Sequence, residues 1–239
     1  MNNQDKIDFI VGWITDYVSK MPNPAKSLVV GVSGGVDSAL TSTLASLTGL
    51  RTIALSMPIS TNHNNSSLSS KHRKWLEDRF NNTTFMTIDL TSTYLEFNSL
   101  LTNSDQGSDL GFANTKSRLR MVTLYQVAAA QRGLVVGTGN KVEDFGVGFY
   151  TKYGDGGVDI SPIADLLKSE VFELARYHKI IDEIISAKPT DGLWNDNRTD
   201  EEQIGATYDE LEKAMLQESK SNLNPVSYTH LTLPTSDLV

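Results

Sequence analysis

The chain contains no cysteine. Disulfides, thiolate metal centres and a cysteine nucleophile are thereby excluded together. It also lacks any uninterrupted apolar run of the roughly 20 residues that a helix needs to cross a bilayer, so no membrane partner is expected. Positive charge is in short supply: 21 Lys and Arg stand against 29 Asp and Glu, a formal net charge of −8. Nucleic-acid binding draws its affinity from clustered cations on phosphates, and this balance argues against a nucleic-acid partner. Anionic small ligands stay compatible, because carboxylates beyond a Debye length of about 8 Å are screened and local cations decide. The histidines, 4 in number, show no ligand spacing, so no zinc site is expected. The opening stretch MNNQDKIDFIVGWITDYVSK has acids where a secretory signal has a basic flank. It reads as an amphipathic helix, and a cytoplasmic location is expected.

What is present is the alternation of an α/β protein. Length, 239 residues, and hydrophobic content, 39%, suit one domain, read as residues 1–224, with an atypical tail at 225–239. Ile7, Ile10, Val11, Ile14 and Val18 recur at helical spacing, and the prolines at 22 and 24 end that helix. Strands are predicted at Ser27 to Val32, Thr52 to Met57 and Thr84 to Ile88, with a fourth in LVVGTGN. Helices are predicted from Ala39 to Leu47, Leu68 to Phe80 and about Asn114 to Gln131. Two capping boxes, Thr199 with Glu202 and Thr207 with Glu210, predict two short helices near the end. Trp13 and Trp75 are read as core residues. Alternating strands and helices imply a Rossmann-like parallel sheet with helices on both faces, and ligands in such sheets bind beyond the carboxyl ends of the strands.

Two glycine-bearing loops, Ser33 to Ser38 and Gly137 to Glu143, fall at such ends. In VVGVSGGVDSAL a valine-rich strand stops at Ser33-Gly34-Gly35 and a helix opens on Asp37-Ser38. Glycines let the backbone approach a phosphate, and the free amides of the helix N-terminus face it. No lysine follows the glycines, so this is not the loop of the common NTPases. A helix end contributes only about 0.3–1 kcal/mol toward an exposed anion, so a divalent cation and a lysine from elsewhere are expected. Asp37 suits Mg2+ as a hard oxygen ligand.

SGGVDS resembles the signature of the ATP pyrophosphatases, the PP-loop superfamily with an adenine nucleotide alpha hydrolase-like fold, which cleave ATP between the α and β phosphates and adenylate an acceptor. Downstream, NTKSRLRM, the run from GTGNKVEDFG through YGDGGVDISPIADLLKSEV, and KPTDGLW are similar to ammonia-dependent NAD synthetases in order and spacing, over about Ile7 to Leu216. The resemblance implies a ligase that forms a C–N bond, converting nicotinic acid adenine dinucleotide (deamido-NAD) and ammonia into NAD with release of AMP and pyrophosphate.

It also implies site residues. Gly31, Val32, Ser33, Gly34, Gly35, Val36, Asp37 and Ser38 would wrap the ATP phosphates, with Thr138, Lys168 and Thr190 as further ATP contacts. Asp37 and Glu143 would hold Mg2+. Arg118, Lys152 and Asp159 would contact deamido-NAD, and Asp155 the nicotinate or ammonia end. From spacing alone Arg118 and Arg120 stay open alternatives, since residues two apart occupy different helix faces. Asp155 and Asp159 could equally serve turns beside Gly154, Gly156 and Gly157. The resemblance further implies a homodimer. Without cysteine or the length of an amidase domain, the nitrogen source is free ammonia or a separate glutaminase. The family's closing basic pair has no match in NPVSYTHLTLPTSDLV, which implies weak dinucleotide binding beside normal ATP binding. Two alternatives stay open: an ATP pyrophosphatase with another acceptor, and a non-catalytic ATP-binding relative.

Overall fold

Four of the five residues of Ser27–Gly31 (β1) are buried, as are four of five in Thr52–Ser56 (β2), so neither strand alternates between apolar and polar. Burial on both faces is the mark of an inner strand in a parallel sheet. Thr83–Thr87 (β3) buries only Phe85 and sits at one edge, while Gly133–Val136 (β4) occupies the other. The computed structural model describes residues 1–59, 67–194, 196 and 198–220. The tail at 225–239 lies outside the described residues. All pairings are parallel in the order β3-β2-β1-β4, with Val30 level with Ala54 and Val136. The order reverses at β1, so the crevice beyond β1 and β4 is a topological switch point. The edge of β4 is closed: Val136 bridges to Ile160, and the Val135 amide donates to the Asp159 carboxylate at 2.8 Å. Occupying an edge donor in this way blocks further strand pairing.

Leu28 and Val30 face one layer of helices, Val29 the other. The first layer holds Asn3–Ser19 (α1), Val36–Leu47 (α2) and, later in the chain, Lys168–Tyr177 (α6) and Asp182–Ile185 (α7). Ser67–Glu77 (α3) adds Trp75 and Leu76 to the same cluster. The second layer is Thr91–Thr102 (α4) and Asp109–Gln131 (α5), the latter packed on β1 and β4. Asp200–Ile204 (α8) and Tyr208–Lys220 (α9) end the described chain, each opening at the expected capping box.

Three expectations need correction. The helix α4 was not foreseen: its sequence TSTYLEFNSLLT is rich in Ser and Thr, and Tyr94 is its one buried residue, so it shows little apolar contrast. α5 starts at Asp109 rather than about Asn114, capped by Ser108, whose hydroxyl accepts from the Gly111 amide. Trp13 is not a core residue but 41% exposed, because it lies off the buried Ile7, Ile10, Ile14, Val18 stripe, beside Tyr17. Trp75, by contrast, is buried and donates from its indole N–H to the Lys179 carbonyl.

One buried histidine carries a pH prediction. His72 is fully buried, with Nε2 2.9 Å from the Ser42 hydroxyl and its ring stacked on Trp75. Its Nδ1 has no hydrogen-bond partner among the described residues. Burial pushes its pKa from 6.5 down to about 4. In that window the unfolded chain takes up a proton that the folded chain refuses, so stability is complete above about pH 6.5 and falls as the pH drops toward 4. The loss is on the order of 3 kcal/mol. Urea midpoints at pH 7 and pH ~4.5 should show this drop in the wild type and a smaller one in His72→Phe. Equal drops in both would contradict it.

Candidate active site

The loop after β1 is held open by its own side chains. Gly34 sits at φ +96, and a Cβ there would come within 3.0 Å of Leu68 Cβ and the Ser69 amide nitrogen, so glycine is required. The Ser33 amide donates to the Ser38 hydroxyl, which donates to the Gly35 carbonyl, and the Gly35 amide donates to Ser33 Oγ. Gly35 begins α2 in an extended conformation with no side-chain cap. The first amides of α2 therefore point out of the helix end without a side-chain acceptor, as an anion-binding terminus requires. Gly31 and Val32 lead into this loop, and Val36 anchors its far side in the core.

Beyond β4 the chain passes through Gly137 and half-buried Thr138 to Asn140, then winds a π-helix, Lys141–Val147, where the sequence suggested only a polar turn. Such π-turns are rare and frequently found at functional sites. Asn140 is fully buried and works twice. Its carbonyl oxygen caps the Val142 and Glu143 amides, and its Nδ2 donates to Asp37 Oδ1 at 3.0 Å. A Cβ on Gly139 would fall 1.9 Å from Asp144 Oδ2, so a larger residue there would push the Asp144 carboxylate aside.

At the centre stands Lys168, the first residue of α6 and 2% exposed. Its Nζ donates to Asp37 Oδ2 and to Glu143 Oε1, each at 2.7 Å. Three residues spread over 131 positions thus meet at one ammonium. Burial would lower the Lys168 pKa, but the two carboxylates outweigh it and hold the ammonium well above its usual range. At Asp37 burial prevails and pushes the carboxyl up, against Lys168 and with Glu143. At Glu143 burial also pushes upward, but Lys168 and the hydrogen bonds from Lys168 and Tyr208 leave the carboxyl below its usual value. The lysine and Glu143 therefore remain charged through neutral pH.

Sequence reasoning missed the floor of this centre. Tyr208 of α9 donates its hydroxyl to Glu143 Oε1 at 2.5 Å, and the Lys168 ammonium lies 4.8 Å above its ring. Asp200 Oδ2 is 3.3 Å from the same hydroxyl, and burial, then the charge of Glu143, pushes its carboxyl up to about 7. Asp144 is likewise pushed up to about 7, first by burial and then by Asp155, Glu143 and Asp37. Asn140 could have been suspected as an N-cap residue. Tyr208, directly after a capping-box threonine, carried no such signal.

The residues assigned to the second substrate gather elsewhere, between α5 and the segment 151–159. Arg118 is exposed and donates from Nε to the Lys152 carbonyl at 3.2 Å, and Lys152 is exposed too. Asp155 accepts from the Ser117 hydroxyl at 2.6 Å and from the Thr151 amide, while Asp159 accepts from the Tyr125 hydroxyl and the Val135 amide. Both aspartates thus tether this segment to α5 and β4, and burial followed by Asp159 pushes the Tyr125 phenol up to about 12. Thr190 is exposed and bonded within its own loop, to the Arg198 carbonyl and the Gly192 amide. Of the ATP and metal residues, the structure brings Asp37, Glu143 and Lys168 into contact.

A family model described as NAD synthase matches residues 6–236. A Mesoplasma florum protein described as NH(3)-dependent NAD(+) synthetase is 38% identical over 216 residues, 89% of this chain and 84% of the relative. One from Methanosarcina acetivorans with the same description is 42% identical over 182 residues, 75% of this chain and 69% of its own length. Among solved structures, an NMN synthetase from Francisella tularensis superposes with a TM-score of 0.81 at 33% identity, covering 91% of this chain and 87% of that one. An NH3-dependent NAD synthetase from Campylobacter jejuni gives 0.73 at 26%, covering 97% and 92%. The chain belongs to the NAD synthase family.

Proposed function

We propose that the chain is an ammonia-dependent synthetase that amidates the nicotinate carboxylate of deamido-NAD at the expense of ATP. The observation that carries the reading is the Lys168 ammonium bridged by Asp37 and Glu143, at the adjoining carboxyl ends of β1 and β4. A carboxylate resists attack by ammonia because oxide would have to leave. Attack of the carboxylate oxygen on the α-phosphorus of ATP expels pyrophosphate and gives an acyl adenylate. Ammonia then adds to the acyl carbon, AMP departs with the former carboxylate oxygen, and a proton is lost as the amide forms. The Ser33–Ser38 loop and the α2 amides would take the phosphates, and Lys168 would neutralise the departing pyrophosphate. Holding two large anions together and keeping water from the adenylate is the remainder of the task.

The donor set fits magnesium. Asp37 and Glu143, two carboxylates of the hard-oxygen kind Mg2+ takes, stand side by side on the Lys168 ammonium. Mg2+ favours such a partial site, completing its shell with phosphate oxygens and water. Asp37 and Glu143 would hold it, where it supplies charge neutralisation at the phosphates.

Likeness to an NMN synthetase favours a second reading of the acceptor, the mononucleotide of nicotinic acid in place of the dinucleotide. Feeding each acceptor separately with Mg-ATP and ammonium and identifying the amide distinguishes the two; no amide from either overturns both. For assembly we propose a homodimer, supported by the exposed apolar side chains Leu95, Phe97 and Leu100 of α4 and Val122 of α5. A monomer by light scattering at working concentration would contradict it.

A further inference from the structure

The helix α5 runs against the strands. Near its end the Gln131 carbonyl accepts from the Ser27 hydroxyl at the start of β1, whereas Leu124 lies 3.5 Å from a Cβ built on Gly31 at the strand's far end. Residues earlier on the same face therefore project beyond the carboxyl edge of the sheet. At 1.5 Å per residue, Arg120 stands ~6 Å and Lys116 ~12 Å beyond Leu124. Both therefore stand on the carboxyl-edge side of the sheet, the side on which open α/β sheets bind ligands. Arg120 donates from Nε to the carbonyl of Met57, the residue after β2, at 3.1 Å. Lys116 is 7% exposed, donates to the Leu193 carbonyl at 2.6 Å, and lies 5.3 Å over the Tyr94 ring.

Neither cation forms an ion pair among the described residues. Their hydrogen bonds go to neutral carbonyls, Lys116 and Arg120 repel one another, and burial is the first cause that lowers both. Asp191 acts on both cations, and Asp155 on Arg120, only through space. Burial pushes the Asp191 carboxyl up, and Asp155 is already engaged by Ser117 and Thr151. A charge as buried as Lys116 with no ionic partner among the described residues is costly, and the half-buried Arg120 guanidinium, bonded among the described residues through Nε alone, matches the oxygens of a phosphate.

We propose that Arg120 and Lys116 form a subsite for a phosphate group of a nucleotide substrate, additional to the Lys168 centre and resting on the proposed synthetase reading. The phosphate belongs either to ATP or to the nicotinate nucleotide. Calorimetry on the full chain tests this, titrating Mg2+ with a non-hydrolysable α,β-methylene ATP in one arm and nicotinic acid adenine dinucleotide or mononucleotide in another. Arg120→Met and Lys116→Met are each expected to weaken one ligand by about 10–100-fold. Arg120→Lys should restore part of that loss, and the arm affected names the source. Adenosine and nicotinic acid riboside, which lack phosphate, should bind variants and wild type alike. Unchanged affinity for every phosphorylated ligand, in variants whose thermal unfolding matches the wild type, would overturn the subsite. So would an equal loss with the phosphate-free ligands, since the pair would then only shape the pocket. A wild type that binds ATP but neither acceptor would instead overturn the synthetase reading, leaving the ATP arm to judge the subsite.

Discussion

Lys168→Met is expected to abolish acceptor-dependent pyrophosphate release and to destabilise the fold in a pH-dependent way. In the wild type one ammonium, 2% exposed, lies between two carboxylates whose side chains are 18% and 15% exposed. Methionine keeps most of the volume but leaves Asp37 and Glu143 facing each other without a counter-charge. Removing one member of a buried ion pair costs on the order of 3–5 kcal/mol. Activity should fall at least ~10²–10³-fold, the usual effect of removing a charge-stabilising donor from a reacting centre. Two like charges at hydrogen-bonding range cannot both ionise readily, so in the variant one carboxyl is raised above its unfolded value. A raised acid binds more protons in the folded state, so the variant regains stability as the pH falls and loses it as the pH rises. Urea unfolding at pH ~5 and ~8 should show a deficit against wild type that is larger at the higher pH. The same deficit at both values would mean that the two carboxylates do not interact as described.

Asp37→Asn should separate catalysis from stability. Asp37 accepts from Asn140 Nδ2 through one oxygen and from Lys168 through the other. An amide in its place must turn its NH2 toward one of these donors, which cannot accept it. The Lys168–Glu143 pair survives, supported by Tyr208, so no uncompensated charge is left buried. Stability should therefore change less than in Lys168→Met. The proposed metal would lose one of its two carboxylates, and pyrophosphate release should fall by about 10²–10³-fold at saturating acceptor. Near-wild-type turnover in Asp37→Asn would remove this carboxylate from the chemistry. A stability loss as large as that of Lys168→Met would show that the two carboxylates share the lysine less evenly than their equal distances indicate.

The parts of the fold that could be read in advance are those whose cause is local. β1, β4 and the two loops at their ends follow from valine-rich runs that stop at glycine, and the capping boxes at Thr199 and Thr207 state their helix starts outright. α4 was illegible because its surface is nearly all exposed, leaving no apolar stripe to detect. Trp13 was misread because size alone says nothing about which helix face a residue occupies. Within the site, SGGVDS announced a phosphate loop, yet Lys168 pairs with a carboxylate 131 residues away, a contact that no spacing reveals. Arg118 against Arg120 shows the same limit. Periodicity separates their faces, but their partners, the Lys152 carbonyl for Arg118 and the Met57 carbonyl for Arg120, come from distant segments that no spacing reveals. The π-turn that aims Glu143 inward depends on Asn140 being held by Asp37, which is again a tertiary bond.

The most direct test of the central claim is pyrophosphate release from Mg-ATP with ammonium, measured with deamido-NAD, with the mononucleotide, and with neither, beside Asp37→Asn. The account predicts release only when an acceptor is present, one equivalent of amide per pyrophosphate, and near silence in the variant. Bound ATP with no acceptor-dependent release, or release that Asp37→Asn leaves intact, would contradict it.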